Sequence, residues 1–400
     1  MWWEREGLEV RDGRLSIAGR DAEEIAREHG TPIYVADAER VADRARALRG
    51  ALEGAGLRGM VRLALKAQRE PELLRFLRGR VPFLGMDVCS PGEVRWAMEH
   101  GWPPAEISYT GTNVSERDLD VILDAGVHMN VDLLTQIDRV GRRRRGGVIG
   151  LRVNPRIGAG GVDTLYSGVR PTKFGVFAEQ IPEALGRARS HGLEVDTVHV
   201  HVGDGYLDDG LPRFEEAVRR TAAMTGELLA AGCPIAEVNV GGGLGVPQRE
   251  GERPLNLVAW AAMLAEHLGP FGVTVATEPG DFLAKDAVVH LAEVVSVEDR
   301  EGVRFVGLDT GWSAMGEHFI YGSPVHFVLC RDANGPPGAR VTFAGNINEG
   351  DDLFAEDFPF PAVAEGDVVA ALGVGSYNAS IASEHCLRPP ARTLVLSERI

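Results

Sequence analysis

Val61-Arg62-Leu63-Ala64-Leu65-Lys66-Ala67-Gln68 alternates in part between apolar and polar residues, with small residues flanking the lysine. Such a run reads as a buried strand that ends in a functional lysine. Taken alone it fits better a strand whose last residue extends its ammonium to solvent. The surrounding chain reverses that preference. From Gly59 onward, short apolar runs alternate with helical patterns such as Pro91–His100 and Arg213–Ala231. The runs are Met60–Lys66, Phe83–Val88, Ile107–Thr110, His128–Val131, Gly150–Val153, Thr197–Val202, Glu237–Val240 and Val273–Thr277. Eight strand–helix units over this length predict a (β/α)8 TIM-like barrel. A doubly wound open sheet shares the same periodicity.

Beyond about residue 285 strand-like runs dominate, separated by turn residues such as Asn334-Gly335-Pro336-Pro337. This predicts a C-terminal β domain. Residues 8–17 alternate around Asp12-Gly13, a hairpin signal, and that hairpin is expected to join the β domain. The expected division is therefore a barrel over 31–285 and a β domain built from 1–30 and 286–400. Asp37 is placed to cap a helix whose Val41, Ala45, Leu48 and Leu52 share one face.

The chain has 400 residues and a formal net charge of −16, which argues against a nucleic-acid partner. The basic run Arg142 to Arg145 reads as a solvated helix end. No apolar run is long enough to cross a bilayer, and Met1-Trp2-Trp3-Glu4-Arg5-Glu6 lacks the features of a signal peptide. The expectation is a cytoplasmic protein without a membrane partner. Cys89, Cys233, Cys330 and Cys386 are scattered, which fits neither a zinc knuckle nor a disulfide framework.

Chemistry gathers at the predicted strand ends, where a barrel carries its site. The first strand ends at Lys66 and the second runs into Asp87. The fifth carries Arg152. The sixth carries His199 and His201, then Gly203-Asp204-Gly205. The seventh ends in Gly241-Gly242-Gly243, and the eighth in Glu278-Pro279-Gly280. Backbone N–H groups of a glycine triplet suit an anion. His-x-His could bind a metal, but no third ligand stands out and no metal is expected. A core role fits His199, whereas His201 suits stacking on a flat cofactor. A lysine, a carboxylate, a flat histidine and a phosphate cradle together suit pyridoxal 5'-phosphate: the lysine forms a Schiff base and the carboxylate keeps the ring nitrogen protonated.

With these residues the chain resembles the fold-type III pyridoxal phosphate-dependent decarboxylases, the group of diaminopimelate and ornithine decarboxylases. The matching pieces run from about Thr31 to Leu396. They are Leu65-Lys66-Ala67, Asp87-Val88-Cys89-Ser90-Pro91-Gly92-Glu93, Leu151-Arg152-Val153-Asn154-Pro155, Lys173-Phe174-Gly175, His201-Val202-Gly203, Gly241 to Gly245, Glu278-Pro279-Gly280 and Gly375-Ser376-Tyr377. The resemblance implies an alanine racemase-like barrel plus β domain, and a head-to-tail homodimer with shared active sites. It implies Lys66 as the Schiff-base lysine, His201 stacked on the ring and Glu278 at the pyridine nitrogen. Gly241, Gly242, Gly243 and Tyr377 would hold the phosphate. Asp87, Arg152 and Asp204 would lie beside the cofactor.

The departures concern the substrate. The family's Cys-Glu-Ser-Gly-Asp corresponds to Asn348-Glu349-Gly350-Asp351-Asp352, so Asn348 takes the place of a proton-donating cysteine and Glu349 matches the glutamate. Glu-Pro-Gly-Arg becomes Glu278-Pro279-Gly280-Asp281, His-x-Gly-Ser becomes His201-Val202-Gly203-Asp204, and Arg-Pro-x-x-Tyr becomes Glu317-His318-Phe319-Ile320-Tyr321. Arginines that would hold a distal carboxylate are thus replaced by acids, which repel one. The expectation is α-decarboxylation of an amino acid with a cationic or polar tail, contacted by Asp281, Glu317, Tyr321 and Glu349, rather than of diaminopimelate. Equally, these acids could pair with Lys173, Lys285 or Arg170. Two other outcomes stay open: racemisation, epimerisation or another non-decarboxylative reaction, and a binding homologue that has lost catalysis.

Overall fold

The structure, a computed structural model, describes residues 1–157, 159–160 and 172–399. Eight parallel strands close into a barrel: β1 (Arg58–Ala64), β2 (Gly85–Val88), β3 (Ile107–Thr110), β4 (His128–Val131), β5 (Val148–Asn154), β6 (Glu194–His199), β7 (Glu237–Asn239) and β8 (Thr274–Thr277). Each strand pairs with its successor, and β8 pairs with β1 to complete the ring. The doubly wound alternative is thereby excluded. The strands are rich in side chains such as Val61, Leu63, Val198 and Val238, all fully buried, as parallel strands covered on both faces require.

Strands β1, β6 and β7 end earlier than the apolar pattern suggests. The expected Met60–Lys66 strand stops at Ala64, and Lys66 sits in a turn closed by the Ala67 N–H donating to the Ala64 carbonyl at 2.9 Å. Likewise His199 is the last residue of β6, and His201 lies two residues beyond it. Strand ends therefore place the functional side chains on irregular backbone, where they are free to turn inward over the barrel mouth.

A second, mostly antiparallel sheet follows. Its order is His326–Leu329, Val368–Leu372, Val288–Arg300, Val303–Leu308, Ala339–Ala344 and Leu353–Phe360. Ile33–Asp37 pairs with Val288–Arg300 on one side and Arg392–Leu396 on the other. This strand lies inside the expected 31–285 unit, yet its hydrogen bonds belong to the second sheet. Asp37 then caps the helix Ala38–Gly54 by accepting from the Arg40 N–H, and Val41, Ala45, Leu48 and Leu52 are buried beneath it. The hairpin Leu8–Arg11 and Arg14–Ile17 turns at Asp12 and Gly13, both with positive φ. Its Leu15 and Ile17 pack with Val289, Leu291 and Val328 of the second sheet, so the hairpin does join that layer. No helix among the described residues is long and apolar enough to cross a membrane.

Candidate active site

The barrel mouth opens into a cavity of about 500 Å³. Its wall includes Lys66, Asp87, Arg152, His199, His201, Asp204, Gly242, Gly243, Glu278, Asp281, Lys285, Glu317, Tyr321 and Tyr377. The loop Gly375–Tyr377 from the second sheet docks on the turn after Lys66. The Tyr377 N–H donates to the Ala67 carbonyl at 3.0 Å, and Gln68 Nε2 to the Gly375 carbonyl at 2.8 Å. Tyr377 and Lys66 are thus held on one wall by local backbone geometry.

Glu278 follows β8 and is buried. Its Oε2 lies 2.9 Å from His199 Nε2, and its Oε1 accepts from Asn239 Nδ2 at 2.6 Å. Burial pushes this carboxyl up, but His199, Arg62 and the Asn239 donor together outweigh burial and bring it down to about 2. Asp87 nearby goes the other way. Burial and then the Glu278 charge raise it well above the usual carboxylate range, against the pull of Lys66. The two carboxyls are pushed in opposite directions: Glu278 toward its charged form and Asp87 toward its protonated one.

His201 is neutral. Burial, then the positive charges of Lys66 and Arg152, push its imidazole well below its ordinary value. The Gly242 N–H donates to its Nδ1 at 3.4 Å, which leaves the ring proton on Nε2. Burial alone would lower the Lys66 ammonium, but Tyr377 and Asp87 facing it reverse the sign and raise it. Gly241 and Gly243 have positive φ. A Cβ on either would collide with a carbonyl oxygen, that of Val200 or Gly203, so only glycine lets this backbone approach the cavity so closely.

These groups fit pyridoxal phosphate. Lys66 brings a primary amine, Glu278 an anion for a protonated ring nitrogen, His201 a neutral flat ring, and the glycines and Tyr377 donors for a phosphate. Asp204 and Asp281 add negative charge to the same cavity. Lys285, only 1% exposed, offsets it: its Nζ lies 3.4 Å from Asp281 Oδ1 and is hydrogen-bonded to Glu317 Oε1. Ser376 Oγ donates to Asp281 Oδ1 at 2.5 Å, and Asn378 Nδ2 to Glu317 Oε2 at 3.0 Å. The pairing with Lys285 considered from sequence is therefore present, whereas Arg170 lies outside the described residues.

Asn348 and Glu349 do not line this cavity. Both are exposed on the second sheet's side, and Glu349 Oε1 lies 3.3 Å from His385 Nε2. Gly241 sits directly behind the wall, its N–H bonded to Asn239 Oδ1 at 2.9 Å. Sequence reasoning missed the part played by Asn239, named Lys285 only as a possible partner for the acids, and gave His199 only a core role. Asn239 ends β7, so the strand-end rule could have found it. Lys285 had a different signal: the chain has only three lysines, Lys66, Lys173 and Lys285, among its 42 lysines and arginines. Two of the three line the cavity. Among the described residues no group of three or more His, Cys, Asp or Glu is arranged to hold a metal ion.

Residues 38–285 match the family model of the pyridoxal-dependent decarboxylase, pyridoxal binding domain. The chain is 34% identical to the diaminopimelate decarboxylase of Methanothermobacter thermautotrophicus, over 98% of this chain and 93% of the relative. It is 30% identical to that of Streptomyces coelicolor, over 91% and 84%. Among solved structures it is similar to the diaminopimelate decarboxylase of M. jannaschii in co-complex with L-lysine. There the TM-score is 0.90 at 26% identity, covering 99% of this chain and 94% of the other.

Proposed function

Because this chain belongs to the fold-type III pyridoxal phosphate-dependent decarboxylases, we propose that its cavity removes the α-carboxylate of an amino acid whose far end carries an amine and no second carboxylate. The family establishes an amino-acid decarboxylase that uses pyridoxal phosphate. The residue roles and the choice of substrate are the inference. The observation that carries them is one cavity wall holding both Lys66 and the ionised Glu278.

Bound pyridoxal phosphate supplies an electron sink for the bond broken at Cα. Lys66 would hold it covalently through Nζ, and Glu278 would keep a proton on the ring nitrogen. His201 would back the ring, while Gly242, Gly243 and Tyr377 would hold the phosphate. Arg152 and Asp87 complete the wall. Asn348 carries no acidic proton, so Lys66 Nζ is the group best suited to return one to Cα.

Substrate choice follows from charge. Lys285 balances only one acid, so with Asp204 on the same wall the face of Asp281, Glu317 and Lys285 keeps an excess of acids even where burial raises Glu317. A distal carboxylate meets repulsion there, and an ammonium meets attraction. Tyr321 lines the same wall. A second reading, diaminopimelate itself, is favoured by the names of the relatives. Asn348 and Glu349, exposed away from their own chain's cavity, support a homodimer in which each copy completes the other's site. Sedimentation would then give a dimer, and a fully active monomer would refute the shared site.

The deciding experiment is a panel of L-lysine, L-ornithine and meso-diaminopimelate, with CO₂ and the organic product both quantified. The reading requires CO₂ in step with substrate loss, and a kcat/KM at least about tenfold higher for an amine-tailed substrate. Product that retains its carboxylate would point to racemisation or another reaction. A preference for diaminopimelate would overturn the substrate assignment alone.

A further inference from the structure

Asp132 follows β4 at the barrel mouth and is 0% exposed. Its backbone is fixed: the Asp132 N–H donates to Gln136 Oε1 at 2.9 Å, and Gln136 Nε2 donates to the Gly111 carbonyl at 3.1 Å. Its carboxylate is another matter. No hydrogen bond of good geometry reaches either oxygen, and only the Thr112 hydroxyl faces them closely enough to favour the charged form, a costly arrangement for a buried charge. Oδ2 lies 3.7 Å from Arg152 Nη1. Arg152 lines the cavity, and its guanidinium sits 4.3 Å over the Phe174 ring. Register explains the meeting: Val131 on β4 pairs with Leu151 on β5, so the next residues, Asp132 and Arg152, leave adjacent strand ends together.

We propose that Asp132 is a positioning residue for the decarboxylase: it acts through Arg152, fixing the guanidinium between carboxylate and Phe174 ring so that it faces the cofactor pocket. The proposal rests on the reading of the cavity as a pyridoxal phosphate site. One hydroxyl and a 3.7 Å ion pair leave this buried charge poorly compensated, and an asparagine or a leucine would fill the space at lower cost. Its retention as a charge therefore has a purpose outside stability.

The electrostatics give this a sign. Burial pushes the Asp132 carboxyl up to about 6, against the opposing pull of Arg152, Thr112 and Lys173, which face it. Tyr109 also feels its charge. A carboxyl raised above its unfolded value favours folding only while protonated, and that contribution is lost as pH rises through about 6. At pH 7.5 the charged Asp132 therefore opposes folding.

The test uses Asp132→Asn, Asp132→Glu, Arg152→Gln and the Asp132→Asn/Arg152→Gln double variant. In cofactor-free protein at pH 7.5, Asp132→Asn should raise Tm by about 2–4 °C, and the gain should shrink at pH 5. The same variant should weaken pyridoxal phosphate binding, read by absorbance titration, by roughly tenfold. Asp132→Glu should recover part of that loss, and Asp132→Asn should add nothing further in the Arg152→Gln background. A lowered Tm for Asp132→Asn, or a variant that does not fold, would make Asp132 a structural residue and overturn the proposal. So would unchanged cofactor affinity, or additive losses in the double variant. Failure of the wild type to bind cofactor would instead refute the reading of the cavity.

Discussion

Glu278 is ionised in a place where burial alone would neutralise it, because His199 and Asn239 occupy its two oxygens and Arg62 adds charge. Glu278→Gln keeps the shape and removes the charge. It should lower kcat on the order of 10²–10³-fold while KM changes little, as steady-state kinetics would show. Equal losses in kcat and affinity would mean that Glu278 serves binding instead. Lys66, His201 and Glu278 were legible because each follows an apolar run, and strand ends at a barrel mouth carry the chemistry. Asn239 was not, and Lys285 was legible only as one of three possible partners for the acids. Their significance lies in contacts to Glu278 and Glu317, 39 and 32 positions away in sequence, and no local pattern encodes such distances.

At the scale of elements, the segment after β8 and the loop Ser376–Asn378 meet through buried charge. Lys285 joins Asp281 and Glu317, while Ser376 and Asn378 donate to those same acids. Lys285→Met would leave the buried Glu317 and the partly buried Asp281 without their cation. Breaking such a pair costs roughly 3–5 kcal/mol, measurable by urea denaturation, and Lys285→Met/Glu317→Gln should recover part of it. No recovery would show that Lys285 acts by packing. Periodicity located all eight barrel strands but extended β1 and β6 too far, since Leu65 and Val200 continue the apolar pattern through a turn. It gave no sign of Leu353–Phe360, whose Glu356, Asp357 and Pro359 break the pattern. It also could not show that Ile33–Asp37 pairs with strands more than 250 residues away.

Across the whole molecule, two layers share one site: the barrel supplies Lys66 and Glu278, and the second sheet's loop supplies Tyr377. The second layer also carries a pH-sensitive group. Burial lowers the His326 imidazole to about 4, with Trp2 and Phe358 rings 5.0 and 5.5 Å away. A histidine held neutral in the fold stabilises it above about pH 6.5, and that contribution is lost as pH falls toward 4. The size is on the order of 3 kcal/mol. Melting temperature of the wild type should therefore fall more steeply between pH 6.5 and 4 than that of His326→Phe. Parallel curves would remove His326 from the account.

The identity of the lysine that carries the cofactor tests the central claim most directly, and three lysines make the assay decisive. Protein loaded with pyridoxal phosphate is reduced with borohydride, digested and mapped by mass spectrometry. The cofactor mass should appear on the peptide containing Lys66 and vanish in Lys66→Ala. A label on Lys173 or Lys285 with Lys66 unmodified would contradict the account.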